Sequence, residues 1–382
     1  MLRAALTAFA LVSCARQTAA TGSDAGPTSA GRGGAGTSGA AGGGGAGYGS
    51  ADAGVVTRDG GPAPTDAAAP NAHGPYAYYY PNPTNFGQVY GVPRSTTNSV
   101  LLASGKDPHN IVNPFTFDAE HVYYGDNQTA LIALATSGKA TATTLVSGLH
   151  RVTAIAVDAT DLYFLDVEDP PSGAPATAAS TVVGRVALAG TVEADAGAFQ
   201  ELVRVSGGGA TSLALYDGHV YWAADSAGTI GGVIRRVSTS GGAAETLASQ
   251  QVSPRKIAVD ASGVYWLNLG HLGVDCSPTD GSLVYLAPGT TATRVLVPNL
   301  AGASALTVKD GTVYFTTAGA HCNVQPAGGG NVWKLVSPSA TPQSLVGNVT
   351  EPDNLFVDAT DVYFTVVTDT FNYIEAAAKV VR

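Results

Sequence analysis

From about residue 97 the chain alternates large apolar residues with smaller or polar ones at a period of two. The alternation breaks at an aspartate and resumes with Val or Leu ahead of an aromatic pair. The phrase occurs six times: "FTFDAEHVYY" (115–124), "IAVDATDLYF" (155–164), "LALYDGHVYW" (213–222), "IAVDASGVYW" (257–266), "LTVKDGTVYF" (306–315) and "LFVDATDVYF" (355–364). Its aspartates, Asp118, Asp158, Asp217, Asp260, Asp310 and Asp358, are spaced by 40, 59, 43, 50 and 48 residues. Period-two alternation on both sides of a turn signal predicts a β-hairpin. After each hairpin come a variable loop, a strand such as "VIRRVS" (233–238), a turn of the "SGG" kind and a last strand such as "ETLAS" (245–249). Four strands per unit, repeated in a ring, predict an all-β, six-bladed β-propeller over residues 76–382.

The repeated phrase is therefore structural. An Asp side chain accepts from the amide two residues on and tolerates turn geometry. Tyr and Trp bring large packing area and one polar atom that needs a partner. The ends of the repeat suggest how the ring closes. "GQVYGVPRSTTNSVLLAS" (87–104) reads as a third and fourth strand with no hairpin before it, and the last hairpin is followed by "AKVVR" alone. Joining the two completes the sixth blade and removes an open edge. "GQVYGV" and "AKVVR" then compete for one place. A seventh blade needs another Asp-aromatic hairpin, and "YAYYYPNP" (76–83) lacks the aspartate.

The form "I-x-V-D-x-x-x-x-Y-W" resembles the YWTD-type propellers of lipoprotein-receptor ectodomains and the TolB-like six-bladed propellers, over residues 87–382. The aromatic pair is never followed by Thr-Asp here, and the Trp-Asp dipeptide of WD40 repeats is absent. The resemblance implies the fold and transfers no active site.

The first 75 residues have another texture. Met1-Leu2-Arg3, the apolar "AALTAFALV" and Ser13-Cys14 resemble a bacterial lipoprotein signal, with "LVSC" (11–14) as its lipobox. That resemblance makes residues 1–13 a signal peptide and Cys14 the lipidated N-terminus; an ordinary secretory signal cut after Ala20 is the alternative. Acyl chains add about 0.8 kcal/mol per buried methylene and hold a protein on a membrane surface. Residues 14–75 are mostly Gly, Ala, Ser, Thr, Pro and Asp. So little apolar area cannot offset backbone entropy, so a disordered tether is expected, with a reach of roughly 40–45 Å.

Composition narrows the chemistry. Only 13% of the 382 residues are charged and the net charge is −10, with no run of Lys or Arg. That excludes a nucleic-acid footprint and a polybasic membrane patch, leaving the N-terminal lipid as the one membrane contact. No G-x-S-x-G elbow, H-E-x-x-H, paired C-x-x-C or calcium-loop spacing is present, so no catalytic set, cofactor or metal is expected. The long loops joining second to third strands (166–180, 268–282, 317–331, 366–379) lie on the face of the blade-to-blade connections. Long loops on one rigid face are where binding residues gather. His109, His150, Arg151, Arg255, Lys256, His271, His321 and Asp353 make that face the candidate binding site. Cys276 and Cys322 fall in such loops of consecutive blades. With Cys14 lipidated they are the only pair left for a disulfide in an oxidising compartment. Closing that loop is worth about 4 kcal/mol.

These features read as an exported, lipid-anchored envelope protein, expected on the outer membrane, acting as a binding or scaffold module for a protein, peptide or glycan. A hydrolase or lyase with its site in the channel mouth is one alternative, and a structural envelope protein without a ligand is the other. Cys14→Ser should leave the propeller folded but release it from the membrane fraction. Detergent partitioning checks this, and a wild-type chain that stays aqueous contradicts the lipid anchor.

Overall fold

A computed structural model describes the chain from Tyr76 onward, apart from residues 83–87, 94–99, 105–111, 119, 127–128, 136–141, 170–178, 189–198, 208, 226–229, 272–279, 319–328 and 370–373. Before Pro114, and at 367–379, the backbone alone is described. His109, His321 and all three cysteines, and with them the expected lipid anchor and disulfide, lie outside the described residues.

The six hairpins open six blades in a propeller arrangement, every sheet antiparallel and in chain order from the inside out. Blade one consists of Val112–Phe117, His121–Asp126, Ala130–Ala135 and Ala142–Ser147. Blade two consists of Val152–Val157, Asp161–Glu168, Ser180–Ala187 and Gln200–Ser206. Blade three consists of Gly209–Tyr216, His219–Asp225, Ile230–Ser238 and Glu245–Val252. In blade four they are Pro254–Asp260, Gly263–Asn268, Gly281–Leu286 and Thr293–Leu300. In blade five they are Ala303–Lys309, Thr312–Thr317, Gly330–Leu335 and Gln343–Val349. Blade six has three, Asp353–Val357, Asp361–Asp369 and Ile374–Val381.

Closure differs from the expectation. Ile374–Val381, which includes "AKVV" of that segment, takes the third place of blade six along a long register with Asp361–Asp369. Gln88–Pro93 pairs instead with Tyr76–Asn82 on one side and Val100–Ser104 on the other, in a separate three-stranded sheet beside the inner strand of blade one. The reason is local. "YAYYYPN" offers Gln88–Pro93 a partner across a short loop, and a short closure costs less entropy than one spanning the whole ring. The first and last blades still meet. Phe117 of blade one lies against Phe356 of blade six, ring centroids 5.5 Å apart.

The turns use two chemistries. Asp118, Asp158, Asp260 and Asp358 accept from backbone amides two or three residues on. Asp217 and Asp310 instead take positive φ (46° and 53°) ahead of Gly218 and Gly311, the two-residue Asp-Gly turn whose twist suits a hairpin. The repeated tyrosines put their hydroxyls at this same face. Tyr123 donates to Asp118, Tyr265 bonds Ser262, and Tyr314 accepts from Arg382, whose guanidinium also holds Asp310. Burial pushes the phenols of Tyr123, Tyr163 and Tyr265 upward, the last to about 12.

Each inner strand carries a bulge near its start, at the opposite face. Thr153, Thr211 and Arg255 are the extra residues in blades two to four, and blades one, five and six shift between Val112 and Phe115, Ala303 and Leu306, and Asp353 and Phe356. Packing below the bulges joins neighbouring blades. Trp266, Ile257 and Val284 of blade four, for example, share one apolar cluster with Tyr221, Ala214 and Ile234 of blade three. Blade two has a tight point where Gly184 faces Phe164, since a Cβ at 184 would overlap that ring. Overpacking a dense core typically costs about 1–3 kcal/mol. Gly184→Ala should lower the urea midpoint by a corresponding amount. An unchanged midpoint would show that Phe164 has room to move.

Candidate functional site

The second strand of each blade ends at the channel mouth, on the side where the inner strands begin. Two residues past the aromatic pair stand Asp126, Asp166, Asn268 and Thr317 in blades one, two, four and five. Asp166, Asn268 and Thr317 are buried. A buried polar side chain costs free energy unless it is hydrogen-bonded, so each position needs a partner. Thr317 accepts from the Trp333 indole at 3.0 Å. Asn268 donates to Gln251, which also takes the Trp266 indole proton across the blade junction. These residues escape a scan for local motifs. Their signal is a fixed offset, visible only when the six phrases are aligned.

Asp166 organises the mouth of blade two. One of its oxygens accepts from the amides of His150 (2.9 Å) and Arg151 (2.7 Å), and the other lies 3.1 Å from Nδ1 of His150. A carboxylate can only accept there, so Nδ1 carries a proton. The His150 side chain is 59% exposed, while that of Asp166 is 3% exposed. Arg151 donates to Asp169. Glu168 accepts from Ser180 and pairs with Arg204, which also holds Glu201. The bonds from Arg204 and Ser180 hold the Glu168 carboxyl below its ordinary value of 4.5.

The other expected residues divide among the blades. Arg255 and Lys256 sit at the start of the inner strand of blade four, and Lys256 is buried. A guanidinium nitrogen of Arg255 lies 3.7 Å from Asp225 of blade three. His271 follows the second strand of blade four, its amide and Nδ1 both 2.6 Å from Asp280. Asp353 opens the inner strand of blade six. His150, Arg151 and His271 are thus each held by carboxylates of their own blade, whereas Arg255 faces a carboxylate of a neighbouring one. Among the described residues no group of three or more His, Cys, Asp or Glu side chains is placed to hold a metal ion.

No family model matches the chain, and no curated protein sequence matches it. Several solved structures share its fold. An oligogalacturonate lyase from Vibrio parahaemolyticus is 13% identical with a TM-score of 0.51, covering 77% of this chain and 82% of that one. An oligogalacturonate lyase in complex with manganese is 11% identical with a TM-score of 0.52, covering 81% and 90%. A puromycin-hydrolyzing peptidase from Mycobacterium tuberculosis is 15% identical with a TM-score of 0.53, and here 79% of this chain matches about half (49%) of the other. At these identities the likeness is one of fold, and fold alone carries no activity.

The depressed Glu168 carboxyl has a consequence at low pH. A group whose folded pKa lies below its unfolded value stabilises the fold above that unfolded value. The contribution fades as pH falls through about 4.5 toward the folded value. Arg204→Ala removes the first cause, so the Glu168 titration followed by NMR should move up toward 4.5. A titration that stays put would show that Arg204 does not govern it.

Proposed function

We propose that the chain is a membrane-tethered binding module. In this reading a lipid on Cys14 anchors it, the Gly- and Ala-rich stretch to residue 75 spaces it from the surface, and the propeller presents its channel mouth to an envelope ligand. One observation supports this most. At the turn face the tyrosine hydroxyls find partners in Asp118, Ser262 and Arg382, whereas the mouth holds buried polar side chains at positions where other blades carry apolar ones. Polarity that the fold does not require is the ordinary mark of recognition.

A second reading rests on His150. A buried aspartate that fixes Nδ1 and leaves Nε2 outward is an arrangement suited to general base catalysis, which a hydrolase or lyase would use. Structures sharing the fold include a lyase and a hydrolase, which keeps that chemistry in view as an analogy.

One experiment separates the two. The full chain, and a His150→Ala/Arg151→Ala variant, are incubated with peptide and glycan fractions of the cell envelope, and bound and free material are read by mass spectrometry. Intact ligand retained by the wild type and lost by the variant supports binding. Cleaved products present only with the wild type support catalysis. Equal retention of every fraction by both proteins would remove this face as the site.

A further inference from the structure

The junction of blades three and four is polar where the fold has no need of it. Asp225 stands three residues past the aromatic pair of blade three. The same place holds Val167, Leu269 and Ala318 in blades two, four and five, all buried and apolar. Asp225 shares the strand face of Ala223 and Tyr221, which pack toward blade four. Asn268 shares the face of Trp266 and reaches Gln251, so it points back toward blade three. Both residues are therefore turned toward the junction of the two blades at the channel mouth, 8% and 7% exposed. Arg255, the extra residue of the blade-four bulge, lies between their strands.

The hydrogen bonding there is incomplete. Among the described residues, Oδ1 of Asp225, Oδ1 of Asn268 and Nε of Arg255 are buried without a protein partner. Leaving a buried polar atom unmade costs more than a hydrogen bond gains, so these three atoms call for a partner from outside the protein chain. The 3.7 Å between Arg255 and Asp225 is too long for a hydrogen bond. With its side chain 40% exposed, Arg255 is the wall free to swing outward.

We infer that this junction, with Arg255 swung outward, takes a neutral, polyhydroxylated ligand, a glycan, through vicinal hydroxyls bridging Asp225, Asn268 and Arg255. The set needs donors for two oxygens and an acceptor for one N–H, and a hydroxyl supplies both. A carboxylate ligand would meet Arg255 but be repelled by Asp225. An ammonium would be repelled by the guanidinium, and a divalent cation would find two oxygens beside a fixed positive charge. This inference deepens the binding reading and rests on it.

The test uses the full chain in lauryldimethylamine oxide, a detergent without a sugar headgroup. It is titrated calorimetrically with cellotetraose, chitotetraose, maltotetraose and mannotetraose, and with tetragalacturonate as the charged counterpart. At least one neutral tetrasaccharide should bind. Asp225→Leu, which copies Leu269 of the next blade, should weaken it at least tenfold while melting at or above the wild-type temperature. Asn268→Ala, matching Ala224 of blade three, decides by the same measurement if Asp225→Leu does not fold. A variant that folds and binds normally, or an Asp225→Leu protein that folds but melts lower, overturns the inference. Tetragalacturonate binding that survives Asp225→Leu also overturns it while leaving the channel-mouth reading intact. Binding of no probe overturns it and counts against that reading as well.

Discussion

Every apolar layer of this propeller belongs to two blades at once. Leu213, Trp222 and Val220 of blade three pack with Ala154, Tyr163 and Val183 of blade two, and Tyr265 and Leu267 of blade four pack with Leu306 and Phe315 of blade five. A single blade is a twisted sheet with two apolar faces, and neither is covered until its neighbours arrive. The last gap is bridged where Phe117 meets Phe356. The large aromatic of each hairpin matters for the same reason, since it fills the wedge between sheets that diverge outward.

The two ends of the molecule are finished differently. At the turn face, aspartate, tyrosine and the next blade's amides close on one another, as when Asp260 accepts from Gly311 of blade five. At the mouth, bulge residues reach sideways instead. Thr211 donates to the Pro254 carbonyl of the next blade, and Ser304 does the same to Pro352. Arg255 stands where those hydroxyls would be and turns to Asp225. One face is thus saturated by the repeat itself, and the other varies from blade to blade.

That contrast explains what the sequence could and could not reveal. The six hairpins were legible because period-two alternation and a turn aspartate are local signals, and the structure places a hairpin at each. The turn chemistry was half legible. Asp217 and Asp310 are followed by glycine and adopt positive φ rather than the capped turn. The pairing of 88–93 was not legible, because a strand without a motif partner is placed by proximity and loop length. His150 and Arg255 were picked out for their position at the mouth. Their partners Asp166 and Asp225 were not: the sequence pattern puts residue 166 at the start of the loop 166–180, whereas the strand runs on to Glu168, and Asp225 ends a strand whose facing is unknown until the register is.

The bulge near the head of each inner strand has a wider consequence. Alternation along a strand ties every residue to one face or the other, so a change anywhere in the strand is felt by a neighbouring blade. One inserted residue breaks that dependence, and the strand below keeps its parity whatever stands above it. The positions at the mouth are thereby uncoupled from the ring they decorate. Threonine, serine and arginine occupy them in different blades over the same packed apolar layers. A ring built this way can acquire a new specificity one blade at a time, because the variable positions and the closure of the circle are separate inheritances.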